Sequence, residues 1–75
     1  QDRLFRKDFR GAIEDYTRAL EIAPGSVRAL INRGIARRAV GDSSGALEDF
    51  TRAIELDPGA AGAHLNRGSA RMERG

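Results

Sequence analysis

Residues 12–25 read AIEDYTRALEIAPG, and residues 46–59 read ALEDFTRAIELDPG. These two stretches lie 34 residues apart and are nearly the same. When the whole chain is compared with itself at this offset, 19 of the 41 residue pairs are identical. Self-similarity at a fixed period is typical of proteins built from stacked copies of one structural unit. The sequence therefore predicts a repeat architecture.

Each period contains two segments whose apolar residues recur at helical spacing. Ser26 and Asp42 precede two of these segments and are predicted N-caps. The Pro-Gly pairs at residues 24–25 and 58–59 end the segments before them, because proline cannot continue a helix. We therefore predict helices over residues 9–22, 27–40, 43–56 and 61–74, and the end of a further helix over residues 1–6.

The period and its marks resemble the tetratricopeptide repeat. Within residues 27–60, small residues stand at Gly34, Ala46 and Ala53, an aromatic at Phe50 and a proline at Pro58, as in that family. The resemblance implies an all-α fold in which antiparallel helix hairpins stack as a right-handed superhelical solenoid. It divides the chain into a partial repeat (residues 1–26), a full repeat (27–60) and the first helix of a third repeat (61–75).

Composition argues against an enzyme. The 75 residues include no cysteine and one histidine, so cysteine chemistry and a two-histidine metal site are excluded. There is no nucleophile motif or glycine-rich phosphate loop, and adjacent acids such as Glu48 and Asp49 point about 100° apart on a helix. We predict no catalytic residue, metal or cofactor. His64 is expected to pack near the start of the last helix in the place of an aromatic, rather than to act as a ligand.

Charge and hydropathy leave the compartment open. Thirteen basic and eleven acidic residues give a net charge of +2, and no apolar run approaches the roughly 18 residues of a membrane span. The first residues lack the apolar stretch of a signal peptide. No membrane partner is expected, and the sequence does not predict a localisation.

Two arginines recur with the period, at Arg33 and Arg67, where the family usually has leucine. One hypothesis makes them contacts for an anionic ligand. The favoured hypothesis pairs them with the recurring acids of neighbouring second helices, Asp15 and Asp49, because an arginine in a helix interface needs a partner to offset its desolvation.

The resemblance also implies a function. In this family the first helix of each unit lines a concave groove, so the chain is expected to be a protein–protein interaction module that binds a peptide or a partner surface there. Apolar members of the groove would seat side chains, arginines would take carboxylates, and asparagines would bond the peptide backbone. The expected lining is Leu4, Phe5, Arg28, Ile31, Asn32, Ile35, Arg38, Leu65, Asn66, Ser69 and Met72.

Two other functions stay open. The last helix is expected to expose Ala63, Leu65 and Met72, so the chain is either an excerpt of a longer array or a structural segment that self-associates through its uncovered ends. RNA binding is the third hypothesis, since helical repeats can read nucleotides. Few aromatics and a modest net charge make nucleic acid the least favoured partner.

Overall fold

Four helices account for most of residues 8–74, the part of the chain that the computed structural model describes, with residues 73 and 74 described by their backbone alone. The helices are α1 (Phe9–Ile22), α2 (Val27–Ala39), α3 (Ser43–Leu56) and α4 (Ala61–Arg74). These residues include no strand, so the predicted all-α class is confirmed. The second helix ends one residue earlier than predicted, and the helix expected over residues 1–6 lies outside the described residues.

Short polar caps and tight turns set the helix ends. The Ser26 hydroxyl accepts a hydrogen bond from the Ala29 amide at 3.2 Å, and the Asp42 carboxylate accepts one from the Gly45 amide at 2.9 Å. Both predicted N-caps are therefore confirmed, and each satisfies an amide that the first helical turn leaves unpaired. Gly41 has a φ of 92°, a left-handed conformation that costs glycine little. That turn reverses the chain between α2 and α3.

The helices α2 and α3 form an antiparallel hairpin. Arg33 of α2 contacts Asp49 of α3 at 2.7 Å, while Arg37, one turn later in α2, reaches the Gly45 carbonyl, one turn earlier in α3, at 3.4 Å. Helix α1 packs against α2 alone, whereas α4 packs against both α3 and α2. Each helix thus contacts its neighbours along the chain, and α2 and α4, one period apart, lie side by side.

Phe50 fills the wedge between the hairpin and the next helix. Its side chain is fully buried and clusters with Ala46 and Leu47 of its own helix and with Ala70 of α4. The ring lies so close to Gly34 that a Cβ atom there would be 2.5 Å from the ring. A second cluster joins Leu30, Ala53 and Ala63 across three helices. Small residues at the crossings and an aromatic in the wedge are the arrangement that the resemblance implied.

One expectation about the last helix is wrong. The sequence predicts that Ala63 is exposed together with Leu65 and Met72, but Ala63 is fully buried in the cluster with Leu30 and Ala53. Leu65 and Met72 are 74% and 84% exposed, as expected. The difference arises because Ala63 and Leu65 are two positions apart and so point to different sides of the helix. One side of α4 packs against α3 and the other is open.

Candidate functional site

The helix α2 carries three of the predicted groove residues in one row. Arg28, Asn32 and Ile35 are spaced by four and three residues and therefore share one helix face. That face is opposite to the one through which Leu30, Gly34 and Arg37 meet α3. Arg28 is exposed, whereas Asn32 and Ile35 are half-buried. The predicted groove residues of α2 are thus partly accessible to a ligand.

The helix α4 repeats this row one period later. Gly62, Asn66 and Ser69 occupy the positions of Arg28, Asn32 and Ile35. Gly62 is exposed, and Asn66 and Ser69 are half-buried. Helices α2 and α4 contact each other. We call the two rows taken together the first-helix surface, made of Arg28, Asn32, Ile35, Gly62, Asn66 and Ser69.

The two asparagines of this surface differ in the hydrogen-bond donors and acceptors that they leave available to a ligand. The Asn66 amide nitrogen donates to the Gly62 carbonyl of its own helix at 2.7 Å, which leaves its carbonyl oxygen as the available acceptor. Within residues 8–72, whose side chains are described, Asn32 makes no such bond. Its amide can therefore both donate to and accept from a peptide backbone.

The apolar residues of the predicted lining are divided between the core and the solvent. Ile31 and Ile35 are half-buried and pack against the Phe50 cluster, so they present little surface. Leu65 corresponds to Ile31 in the 34-residue period, and Met72 corresponds to Arg38, which is half-buried. Leu65 and Met72 are 74% and 84% exposed, and their place in the groove stays a prediction. Leu4 and Phe5 lie outside the described residues.

Arg33 joins three helices through its guanidinium group. Its Nε and Nη2 atoms donate to the two carboxylate oxygens of Asp49 at 2.9 and 2.7 Å, and its Nη1 donates to the Thr17 hydroxyl of α1 at 3.3 Å. Arg37 adds an ion pair to the same carboxylate at 3.3 Å. Asp49 is 2% exposed and would be costly to bury without these partners. The predicted internal pairing of Arg33 is confirmed, with Asp49 rather than Asp15 as its acid.

Comparison with known families decides the identity. A model described as the tetratricopeptide repeat matches residues 31–75, which is more than half of the chain. The chain belongs to the tetratricopeptide repeat family. No curated protein matches it. Tetratricopeptide repeats generally mediate protein–protein interactions and typically serve as non-enzymatic scaffolds.

In this tetratricopeptide repeat chain Arg33 and Asp49 form an internal ion pair between α2 and α3. The hydrogen bonds to Asp49 raise the pKa of the Arg33 guanidinium above its ordinary value, against the opposing effect of burial. A base with a raised pKa contributes stability that is lost only when the pH rises through that pKa. The Arg33 side of the pair therefore adds no pH dependence near neutrality.

The counterpart Arg67 has no such pair. Among the described side chains Arg67 makes no ion pair, although it stands one period after Arg33. The predicted pairing of Arg67 with Asp15 or Asp49 is therefore not seen.

His64 is exposed rather than packed in the place of an aromatic, so that expectation is wrong. Its Nε2 lies 2.8 Å from the Pro58 carbonyl, to which the Nε2–H tautomer donates. Leu30, the residue one period earlier, is buried because α3 covers it. No following helix covers His64 within the described residues, and the ring bonds back to the preceding turn instead.

Other kinds of site find no support in the described residues. They contain no group of three or more histidine, cysteine or carboxylate residues that could hold a metal ion. None of the four helices is long and apolar enough to cross a bilayer. An open depression runs along α3. Its charged lining residues are Glu48, Arg52 and Glu55, and Arg52 pairs with Glu55 at 3.6 Å.

Proposed function

We propose that this tetratricopeptide repeat chain binds an extended segment of a partner protein on its first-helix surface and performs no catalysis. The observation that carries the proposal is the pairing of α2 and α4 side by side, with the row Arg28, Asn32, Ile35 repeated as Gly62, Asn66, Ser69. A repeated row of amides suits a ligand whose own donors and acceptors repeat, which is a property of a peptide backbone.

The side chains of this surface favour a particular kind of peptide. Asn32 and the Asn66 carbonyl can bond backbone groups of an extended segment that crosses both helices. Arg28 is exposed and can pair with a carboxylate, although an exposed ion pair contributes only about 0.2–1 kcal/mol. The half-buried Ile35 and the small Gly62 allow a close approach. The preferred ligand is therefore an extended peptide that carries at least one acidic residue.

A display selection with a random twelve-residue peptide library tests the proposal. Peptides selected on the wild-type chain should be enriched in aspartate and glutamate. Asn32→Leu should lower the affinity of a selected peptide by about 10-fold. Each hydrogen bond to the peptide backbone contributes about 1 kcal/mol, and burying a peptide amide that has lost its hydrogen bond adds a further cost. Arg28→Glu should weaken it about 3-fold or more.

A matched control separates the surface from overall charge. Arg18→Glu makes the same charge change on the exposed side of α1 and should leave the affinity within about 2-fold. Amide shift changes on titration should concentrate in residues 28–39 and 62–72. The proposal is wrong if the selected peptides bind Asn32→Leu as tightly as they bind the wild type. It is also wrong if the amide shift changes on titration concentrate in α1 and α3 instead.

The RNA hypothesis predicts a different result from the same chain. Binding of a single-stranded oligonucleotide would fall steeply between low and high salt, because each neutralised phosphate releases counterions. Peptide binding to the first-helix surface uses few charges and should change by less than about 3-fold over the same range.

A further inference from the structure

The helices α1 and α3, which are the second helices of their repeats, end on equivalent pairs of residues. Glu21 and Ile22 close α1, and Glu55 and Leu56 close α3, 34 residues later. Both glutamates are exposed, and Ile22 and Leu56 are 86% and 40% exposed. We call these four residues the turn edge, because each pair directly precedes the turn into the next first helix. An acid and an aliphatic side chain therefore reach the solvent together at both turns.

This exposure does not depend on where the sequence begins or ends. The helices α2 and α3 follow the α1 pair, and Ile22 is nevertheless 86% exposed. The helices α1 and α2 precede the α3 pair, and Leu56 nevertheless remains 40% exposed. Both glutamates are exposed in the same two settings. A neighbouring repeat on either side therefore leaves this position of the period open.

Both residues of each pair contradict the local preferences of a helix end. A helix C-terminus is the negative end of the helix dipole and favours cations. The last turns of α1 and α3 contain no basic residue, and each contains a glutamate instead. Glu21 makes no ion pair among the described side chains, and Glu55 contacts Arg52 at 3.6 Å through exposed side chains. Departures from local preference without a compensating contact are typical of functional sites.

The charges of the chain are also divided between its two kinds of helix. The first helices α2 and α4 contain seven arginines and one glutamate, whereas the second helices α1 and α3 contain three arginines and six acids. Asp57 adds an exposed acid directly after Leu56. The second helices are therefore the acidic ones, and at the turn edge their acids adjoin exposed apolar side chains.

We propose that the turn edge binds a basic segment of a partner protein through two lysine or arginine side chains. The aliphatic stem of one lies on Ile22 and that of the other on Leu56, because long basic side chains cover apolar surface while their charged ends stay in water. The charged ends meet Glu21, Glu55 and the carbonyl oxygens that the last helical turns leave unpaired. One residue type thus supplies both the cation and the apolar contact that each helix end lacks.

The length of the segment follows from the size of the molecule. An extended chain rises about 3.3 Å per residue, so twelve residues span about 40 Å. The greatest extent of the structure is 36 Å. A twelve-residue segment is therefore long enough to contact both pairs at once.

A display library of twelve-residue peptides without aspartate or glutamate tests the proposal, because it excludes the acidic ligands expected for the first-helix surface. Selected peptides should be enriched in lysine and arginine. Glu21→Lys combined with Glu55→Lys should lower their affinity by about 10-fold or more, since attraction becomes repulsion at both helix ends. Ile22→Ser combined with Leu56→Ser should lower it by about 5-fold through the lost apolar contact. Isothermal titration calorimetry measures both affinities.

Glu14→Lys combined with Glu48→Lys is the matched control. These two glutamates are exposed on the same helices and correspond to each other in the period, but they lie seven residues, or about 10 Å, before the turn edge. Screening at physiological salt limits their effect, so the affinity should stay within about 3-fold of the wild type. Asn32→Leu, which alters the first-helix surface, should leave it within about 2-fold. Thermal melts confirm that each variant folds.

Three outcomes would overturn the proposal. The first is a set of selected peptides with no excess of lysine and arginine over the library. The second is an equal loss of affinity in the turn-edge and control charge reversals, which would indicate attraction to the net charge alone. The third is a titration whose amide shift changes lie outside residues 18–25 and 52–60. None of these outcomes bears on the acidic peptides, because the turn edge and the first-helix surface share no residue.

Discussion

Phe50→Ala is expected to lower the free energy of unfolding by about 3–5 kcal/mol, as for other buried phenylalanines. The ring is fully buried and holds α2, α3 and α4 together through Gly34 and Ala70. Residues 8–72 contain few other large buried side chains, so this loss is a large fraction of the total stability. Chemical denaturation followed by circular dichroism at 10 µM measures it. A loss below about 1 kcal/mol would contradict the wedge role of the ring.

Gly34 and Gly68 provide a paired control for the same contact. Gly34→Ala should destabilise by about 1–3 kcal/mol, because its methyl group collides with the Phe50 ring. Gly68→Ala changes the counterpart residue one period later, where the methyl group enters open space, and should stabilise by about 0.5–1 kcal/mol through helix propensity. Equal effects would mean that Gly34 is not covered by Phe50.

Arg33→Leu is expected to destabilise by about 3 kcal/mol, the second large effect. It leaves the Asp49 carboxylate, whose side chain is 3% exposed, with Arg37 alone at 3.3 Å. Aspartate is too short to move its charge into water, whereas a stranded arginine could do so. Thermal and chemical denaturation of the variant measure the loss. An unchanged melting temperature would contradict the pairing.

Two further variants make this result specific. Arg67→Leu removes the counterpart arginine, which has no ion pair among the described residues, and should change stability by at most about 0.5 kcal/mol. The double variant Arg33→Leu with Asp49→Leu removes both charges and should be clearly more stable than Arg33→Leu alone, since no unpaired buried charge remains. If the double variant is no more stable than Arg33→Leu alone, an unpaired Asp49 is not the source of the cost.

The 34-residue period was sufficient to predict the helices, the caps and the internal ion pair. Each depends on residues that recur and on local or nearest-neighbour contacts. Asp42 caps its own helix, and Arg33 recurs with the acids of the second helices. The family match over residues 31–75 and the absence of strands in residues 8–74 support the same architecture.

What the period could not predict is how neighbours change the exposure of equivalent residues. Leu30 is buried and His64 is exposed at the same position, because α3 covers the first and no described helix covers the second. Ile31 and Ile35 are half-buried because they pack against the cluster of α3 and α4 residues around Phe50, while Leu65 is open. A pattern of residue types assigns the same role to each copy, whereas exposure depends on which copies are present.

The partners of exposed charged residues are also not predicted by the 34-residue period. Glu48 and Arg52, four residues apart, have the spacing of a helix-stabilising pair, yet Arg52 lies 3.6 Å from Glu55 instead. Both Arg52 and Glu55 are more than half exposed. Such pairs exchange at little cost and contribute a few tenths of a kcal/mol. Their choice of partner has no consequence for the fold.

Stacking of helices against their chain neighbours is the central claim, and a nuclear Overhauser spectrum of the labelled chain at 10 µM tests it most directly. We expect cross-peaks from the Phe50 ring to the Gly34 α-protons and the Ala70 methyl group, and none between α1 and α4. Cross-peaks from the methyl groups of Ala12 or Ala19 to those of Leu65 or Ala70 at this concentration would instead indicate a closed four-helix bundle. That result would contradict the stack, and with it the first-helix surface.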